Sequence, residues 1–197
     1  MPTPQPSPGP LAKAALRDQL VTARNRRSLA EIGAAARALA EQLLACGEVR
    51  RAASVAAYVA LGSEPGTGPL LAALRDAGKR VVLPVLLPDN DLDWAAYTGE
   101  AGLAPARFGL LEPTGPRLGV DAVATPDVVL VPGLAVDSAG FRLGRGGGSY
   151  DRALARVPRG TFTCVLLYDD EVGRDVPVEP HDRPVTAAVT PSGLRRF

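Results

Sequence analysis

The sequence predicts an α/β domain built on a largely parallel sheet, and three observations carry that prediction. Short apolar runs of strand length alternate along the chain with segments of helical periodicity. Runs such as SVAAYVAL (54–61) and DVVLV (127–131) lack the inside/outside alternation of a half-solvated strand, as strands buried on both faces do. The length of 197 residues suffices for one domain with a sizeable core, and 46% hydrophobic against 22% charged residues excludes global disorder.

In chain order, residues 1–10 (MPTPQPSPGP) hold five prolines and no charged side chain, which predicts a disordered, polyproline-like arm rather than a signal peptide. A single α/β domain is expected over residues 11–197. Residues 11–26 read as a helix. Ser28 and Glu31 form an S-x-x-E capping box, in which serine oxygen and glutamate carboxylate satisfy each other's orphan amides. It opens an Ala/Leu-rich helix running to Ala45, with Gly47 as its stop. Strands are expected at 54–61, 81–87, 92–98, 127–131, 162–168 and 185–190. Helices are expected from LLAALRDAG, ending at Gly78, and over 149–157. Residues 98–125 are Gly/Pro-rich and read mostly as loop.

Composition excludes several classes of function. With 22 basic and 21 acidic residues the net charge is +1, which excludes a dedicated nucleic-acid or membrane-surface binder. No apolar run approaches the ~18 residues of a membrane span. Cys46 and Cys164 share no C-x-x-C spacing and read as free thiols, which predicts a reducing, cytoplasmic setting.

The densest chemistry lies in RLGRGGGSYDR (142–152). A Gly-rich turn entering a helix presents consecutive amides to an anion, and the helix N-terminus adds positive potential. Arg145 would clamp a phosphate with its planar fork, and Asp151, one turn in, would hold a bridging metal ion. On composition alone the same stretch reads equally well as a tight turn with a solvated aspartate. It is neither a Walker A loop nor a full dinucleotide fingerprint, since Gly-Lys-[Ser/Thr] is absent and Ser149 stands where a third glycine belongs. Lys13 and Arg17, four apart, share one helix face, which alone reads as a solvated surface. Glu64, in LGSEPGT, follows a buried strand, where α/β sheets place ligands. His181, between Glu179 and Asp182, is the one histidine, and a hydrolase triad has little support.

Together these segments resemble the 5-formyltetrahydrofolate cyclo-ligase (5,10-methenyltetrahydrofolate synthetase) family over roughly residues 11–191. VPGLAVDSAGFRLGRGGGSYDR (131–152) and VPVEPHDRPVTAAVTP (176–191) are similar to the family's V-P-G-x-x-F-D-x-x-G-x-R-L-G-x-G-G-G-Y-Y-D-R and P-x-E-x-H-D-x-P-V-D-x-x-x-T-P. The Lys13/Arg17 pair, LGSEPGT (61–67) and FGLLEP (108–113) follow in matching order. Three positions depart: Ser149 replaces a usual tyrosine, Thr186 a usual aspartate and Val136 a usual phenylalanine.

The resemblance implies a three-layer α/β/α sandwich like that of ribose-5-phosphate isomerase and CoA-transferase relatives. It implies ATP as co-substrate, Mg²⁺ as cofactor and 5-formyltetrahydrofolate as substrate, with no nucleic-acid or membrane partner and a monomer or weak homodimer. It assigns Lys13, Arg17, Arg142, Gly144, Arg145, Gly146, Gly147, Gly148 and Tyr150 to the nucleotide, with Arg145 stabilising the transferring phosphoryl group. Asp151 and Asp182 become metal ligands, directly or through water, and Glu64 and Phe108 face the folate. Two other readings share the sequence: a folate-sequestering protein without turnover, and a sugar-phosphate isomerase-like enzyme needing no ATP.

Overall fold

Successive residues of the central strands point into two different cores, and this is why their sequences carry no alternation. The computed structural model describes residues 8–197. The chain begins with three helices, α1 (Pro8–Arg24), α2 (Leu29–Ala45) and α3 (Gly47–Arg51), before β1 (Ser54–Ala56) and α4 (Gly68–Asp76). The antiparallel pair β2 (Arg80–Leu86) and β3 (Leu92–Ala96) follows, then a small hairpin of β4 (Leu103–Pro105) and β5 (Leu111–Pro113). Next come β6 (Val128–Pro132), a second hairpin of β7 (Ala135–Val136) and β8 (Arg142–Leu143), and α5 (Ser149–Arg156). The chain closes with β9 (Phe162–Leu166), β10 (Ala187–Thr190) and β11 (Gly193–Arg196).

The main sheet has seven strands in the order β11-β10-β9-β6-β1-β2-β3. The five inner strands run parallel, and β11 and β3 close the two edges antiparallel. Val128 and Leu130 of β6, with Cys164 and Leu166 of β9, join Leu39, Leu43 and Leu70 of α2 and α4 on one face. Val129, Val131 and Val165 join Ala153 and Leu154 of α5 on the other. Two helical layers around one sheet make the expected α/β/α sandwich. A third cluster docks α1 by Leu20 onto Leu134, Ala135, Leu143 and Val176, at the edge of the sheet's C-terminal end.

Local signals explain the helix boundaries. Ser28 Oγ accepts from the Glu31 amide at 3.2 Å while the Ser28 amide donates to Glu31 Oε2 at 2.7 Å, so the expected capping box opens α2. Helix α2 ends at Ala45, but Gly47 is not a terminal stop: Cys46 turns extended and Gly47 begins α3. Helix α1 starts at Pro8, so the last residues of the expected arm are helical, while the rest of that arm (1–7) lies outside the described residues.

Other expectations need adjustment. β1 pairs over Ser54–Ala56 instead of 54–61, because the Tyr58 carbonyl accepts from Thr67 Oγ1 at 2.8 Å and that hydroxyl accepts from the Ala60 amide at 3.0 Å. Those bonds turn the chain out of the sheet and into the floor of a cavity. The stretch 98–125 holds the β4–β5 hairpin, and β11 (Gly193–Arg196) adds an edge strand beyond the expected ones. Cys46 and Cys164 are both free and buried, as expected. No described helix is long and apolar enough to cross a membrane.

Candidate active site

The sheet order reverses between β1 and β6: β1 leads outward to β2, and β6 leads the opposite way to β9. Ligands of open α/β sheets bind at the carboxyl ends of strands at such a switch point. Here the segments leaving β1 (58–64) and β6 (132–134) border a cavity of about 780 Å³. Every residue that the resemblance assigns to a ligand lines it: Lys13, Arg17, Glu64, Phe108, Arg142, Gly144, Arg145, Gly146, Gly147, Gly148, Tyr150, Asp151 and Asp182.

One end is built for anions. Gly146 (φ 104°) and Gly148 (φ 68°) adopt left-handed backbone that a side chain would strain, and Gly148 caps α5 without any side-chain bond. The first amides of α5 therefore remain available at the cavity. Four cavity-lining cations stand around the loop, and each holds a protein partner. Lys13 Nζ donates to Glu179 Oε2 at 2.6 Å and Asp182 Oδ2 at 2.7 Å. Arg17 donates to the Gly144 carbonyl at 2.9 Å, Arg142 to Asp151 Oδ1 at 3.1 Å and Arg145 to Glu64 Oε1 at 3.0 Å.

Burial sets the electrostatics. It depresses the proton affinity of Lys13, but the hydrogen bonds that Lys13 donates to Asp182 and Glu179 outweigh it and hold the ammonium above its ordinary range. Asp182 shows the converse: burial would raise its carboxyl, and the Lys13 bond brings it below the usual range. Burial pulls the Arg142 guanidinium down, opposed by Asp151, and leaves its Nε without a partner. Burial also drives the Tyr150 phenol far above its usual range, so it enters any interaction as a neutral donor.

The cavity also has apolar walls, among them Pro84, Leu86, Leu92, Leu110 and Leu134. Glu64, which lines it too, is buried, one oxygen on Arg145 and the other accepting from the Leu61 amide at 2.9 Å. Phe108 sits at the rim, 71% exposed and held in a left-handed backbone (φ 58°), where a planar ligand can stack on it.

Three features escape sequence reasoning. The Tyr58 hydroxyl is buried at the cavity floor without a partner. Glu179 shares Lys13 with Asp182, and with exposed His181 these two form a cluster whose ligand atoms lie within 4.8 Å of one another. Asp151 is instead tied to Arg142, outside that cluster. Of the three departures, Thr186 clamps Thr163 of β9 by reciprocal bonds of 2.9 Å, Val136 is core, and Ser149 alone touches the cavity.

The chain matches a family model described as the 5-formyltetrahydrofolate cyclo-ligase family over residues 11–191. It is 40% identical over 187 residues to a 5-formyltetrahydrofolate cyclo-ligase of Mycolicibacterium smegmatis, covering 92% of this chain and 95% of that one. The corresponding protein of Escherichia coli is 35% identical over 156 residues, covering 78% and 86%. A solved structure of Aquifex aeolicus 5,10-methenyltetrahydrofolate synthetase superposes with a TM-score of 0.81 at 29% identity, over 93% of this chain and 92% of that one.

Proposed function

Because the chain belongs to the 5-formyltetrahydrofolate cyclo-ligase family, we propose that it converts 5-formyltetrahydrofolate and ATP to 5,10-methenyltetrahydrofolate, ADP and phosphate. One observation carries the reading: a single cavity brings together a glycine cradle, four lining cations and apolar walls, and its buried carboxylate Glu64 is ion-paired to a cation of the cradle, Arg145. Amides and cations suit the phosphates of one substrate and apolar walls suit the ring of the other, and the ion pair links the two kinds of lining.

In this reading the formyl oxygen attacks the γ-phosphorus, the bond to the bridging oxygen breaks and ADP leaves. N10 then attacks the activated formyl carbon, loses its proton, and phosphate departs with the former formyl oxygen. Nucleophile and electrophile both come from substrates, so the protein must align, neutralise and exclude water. Lys13, Arg17, Arg142 and the amides of 144–148 hold phosphate oxygens, exchanging their present partners for them. Arg145, on a rigid turn, leaves Glu64 for the transferring phosphoryl group, while Glu64 turns to a polar edge of the folate and Phe108 stacks on its ring. The donor set suits Mg²⁺: Asp151 and Asp182 offer hard carboxylate oxygens beside the cradle, and Mg²⁺ takes one or two such ligands with phosphate oxygens. Bound there, it would supply positive charge to offset that of the phosphates.

Incubation with 5-formyltetrahydrofolate and Mg²⁺, with and without ATP, tests the reading. Appearance of the methenyl chromophore only with ATP is the expected result. Folate binding without product would replace the reading by sequestration, and neither binding nor product would remove the folate altogether.

A further inference from the structure

Helix α1 carries two of the four cations of the cradle, and both are held by groups that ligand binding displaces. Lys13 rests on Glu179 and Asp182, and Arg17 on the Gly144 carbonyl. When phosphates take these cations, the anchors left among the described residues of α1 are its apolar contacts through Leu16, Leu20 and Val21 and one buried polar side chain, Arg24. Arg24 is 1% exposed and makes a two-pronged pair with Glu171, Nε to Oε1 at 2.7 Å and Nη2 to Oε2 at 2.8 Å. The same Nη2 donates to the Gly133 carbonyl at 2.6 Å, in the cavity-lining turn after β6. Glu171 in turn accepts from the Tyr168 amide at 2.9 Å, and the Tyr168 hydroxyl donates to the Ser63 carbonyl at 3.1 Å, beside Glu64.

We propose that Arg24 and Glu171 are positioning residues of this active site, fixing the helix that carries Lys13 and Arg17 against the turns that carry Gly133 and Glu64. The inference rests on the functional reading above and extends it to residues that touch neither substrate. A buried ion pair is weak evidence of stabilisation, since two desolvated charges roughly cancel their attraction and apolar replacements often do as well. Geometry is what the pair supplies here. Lys13 lies eleven residues before Arg24, about 16 Å along a helix rising ~1.5 Å per residue. A tilt of about 4° at Arg24 moves the Lys13 backbone by about 1 Å, an error that costs on the order of a hundredfold where alignment is the catalytic device.

The test separates geometry from stability. Changing Glu171 alone strands a buried charge, so the informative variant is the double replacement Arg24→Met/Glu171→Leu. It is expected to fold with a lowered melting temperature, since the Gly133 carbonyl and the Tyr168 amide lose their partners, and to raise KM for ATP at least tenfold, beyond any change in kcat. A folded double variant with KM for ATP within twofold would overturn the proposal and leave the pair a packing element. Should the double variant fail to fold, Arg24→Lys decides: it keeps the charge but cannot serve Glu171 and Gly133 together. Unchanged KM for ATP in that variant overturns the proposal, and a several-fold rise supports it. Amide exchange needs no turnover and so stands apart from the functional reading. Faster exchange in α1 and in 61–64 of the double variant is expected, and wild-type exchange in both segments overturns positioning even if the wild type makes no methenyl product.

Discussion

Removing the Arg145 side chain should cost catalysis far more than folding. In the ligand-free site its side-chain partner among the described residues is Glu64 at 3.0 Å, and the Arg145 side chain is 50% exposed. Solvent screening holds such a pair to about 0–1 kcal/mol of stability. For a chain of this size that is a fall in melting temperature of at most about 2–4 °C. Glu64 keeps its bond from the Leu61 amide at 2.9 Å, so the loop does not lose its tether. The transition state is different: a preorganised donor aimed at developing charge contributes about 3 kcal/mol, roughly a hundredfold in turnover. Arg145→Ala should therefore lower kcat about a hundredfold while KM for 5-formyltetrahydrofolate moves only a few-fold. Lysine should restore a minor part, since a point charge on a flexible stem lacks the planar fork. Initial rates of methenyl formation at saturating ATP, beside thermal melts of both proteins, measure this. Turnover within about fivefold of wild type would refute the role, as would loss of activity accompanied by a large drop in melting temperature.

Other expectations follow from the same geometry. Asp151→Asn and Asp182→Asn should each shift the Mg²⁺ dependence of turnover to higher concentration, and unchanged titrations in both would remove them from the metal's surroundings. Tyr58→Phe deletes a buried hydroxyl with no partner and should raise the melting temperature of the ligand-free protein, by about 1 kcal/mol or more of relieved desolvation. A lower melting temperature would show that the hydroxyl is satisfied in solution. Hydrogen bonds from Arg196 and Cys46 bring the Glu48 carboxyl down to about 2. A group with a depressed folded pKa stabilises above its unfolded value and loses that contribution as pH falls through the folded one. Glu48→Gln should therefore melt below the wild type above pH ~5 and converge with it towards pH ~2. A difference independent of pH would assign the effect to shape instead of charge.

What the sequence reveals is what one stretch of chain decides by itself. The runs around Val81 and Val128 read as buried strands because both faces are apolar, and each face does meet a helical layer. Ser28 and Glu31 announce the start of α2 because both halves of the capping box lie within one turn. Gly146 and Gly148 stand out because their backbone tolerates little else. What stays hidden depends on distant partners. Arg145 meets Glu64 across 81 positions and Lys13 meets Glu179 across 166, and no periodicity records such pairs. The early end of β1 turns on one hydroxyl, Thr67, nine positions from the carbonyl it captures. β11 hides because it is four residues long and its Arg195 and Arg196 are exposed on an edge, where charge guards against further pairing.

The docking of α1 has a consequence for how the molecule comes into being. This first helix settles on surfaces from the last third of the chain: Leu134, Leu143, Val176 and the Glu171 carboxylate. Arg24 and Glu171 are separated by 147 positions, which at roughly 5–20 residues per second takes about 7–30 s to synthesise. Throughout that interval Leu16, Leu20 and Val21 have no apolar surface to cover them, and the guanidinium that ends up dry remains hydrated. Closing so long a loop is a late and slow event compared with pairing β1 to β2. A nascent chain stalled before residue 171 would thus hold several strands of the sheet while its glycine cradle lacked both Lys13 and Arg17 in place, and on the proposed function ATP would find little to grip.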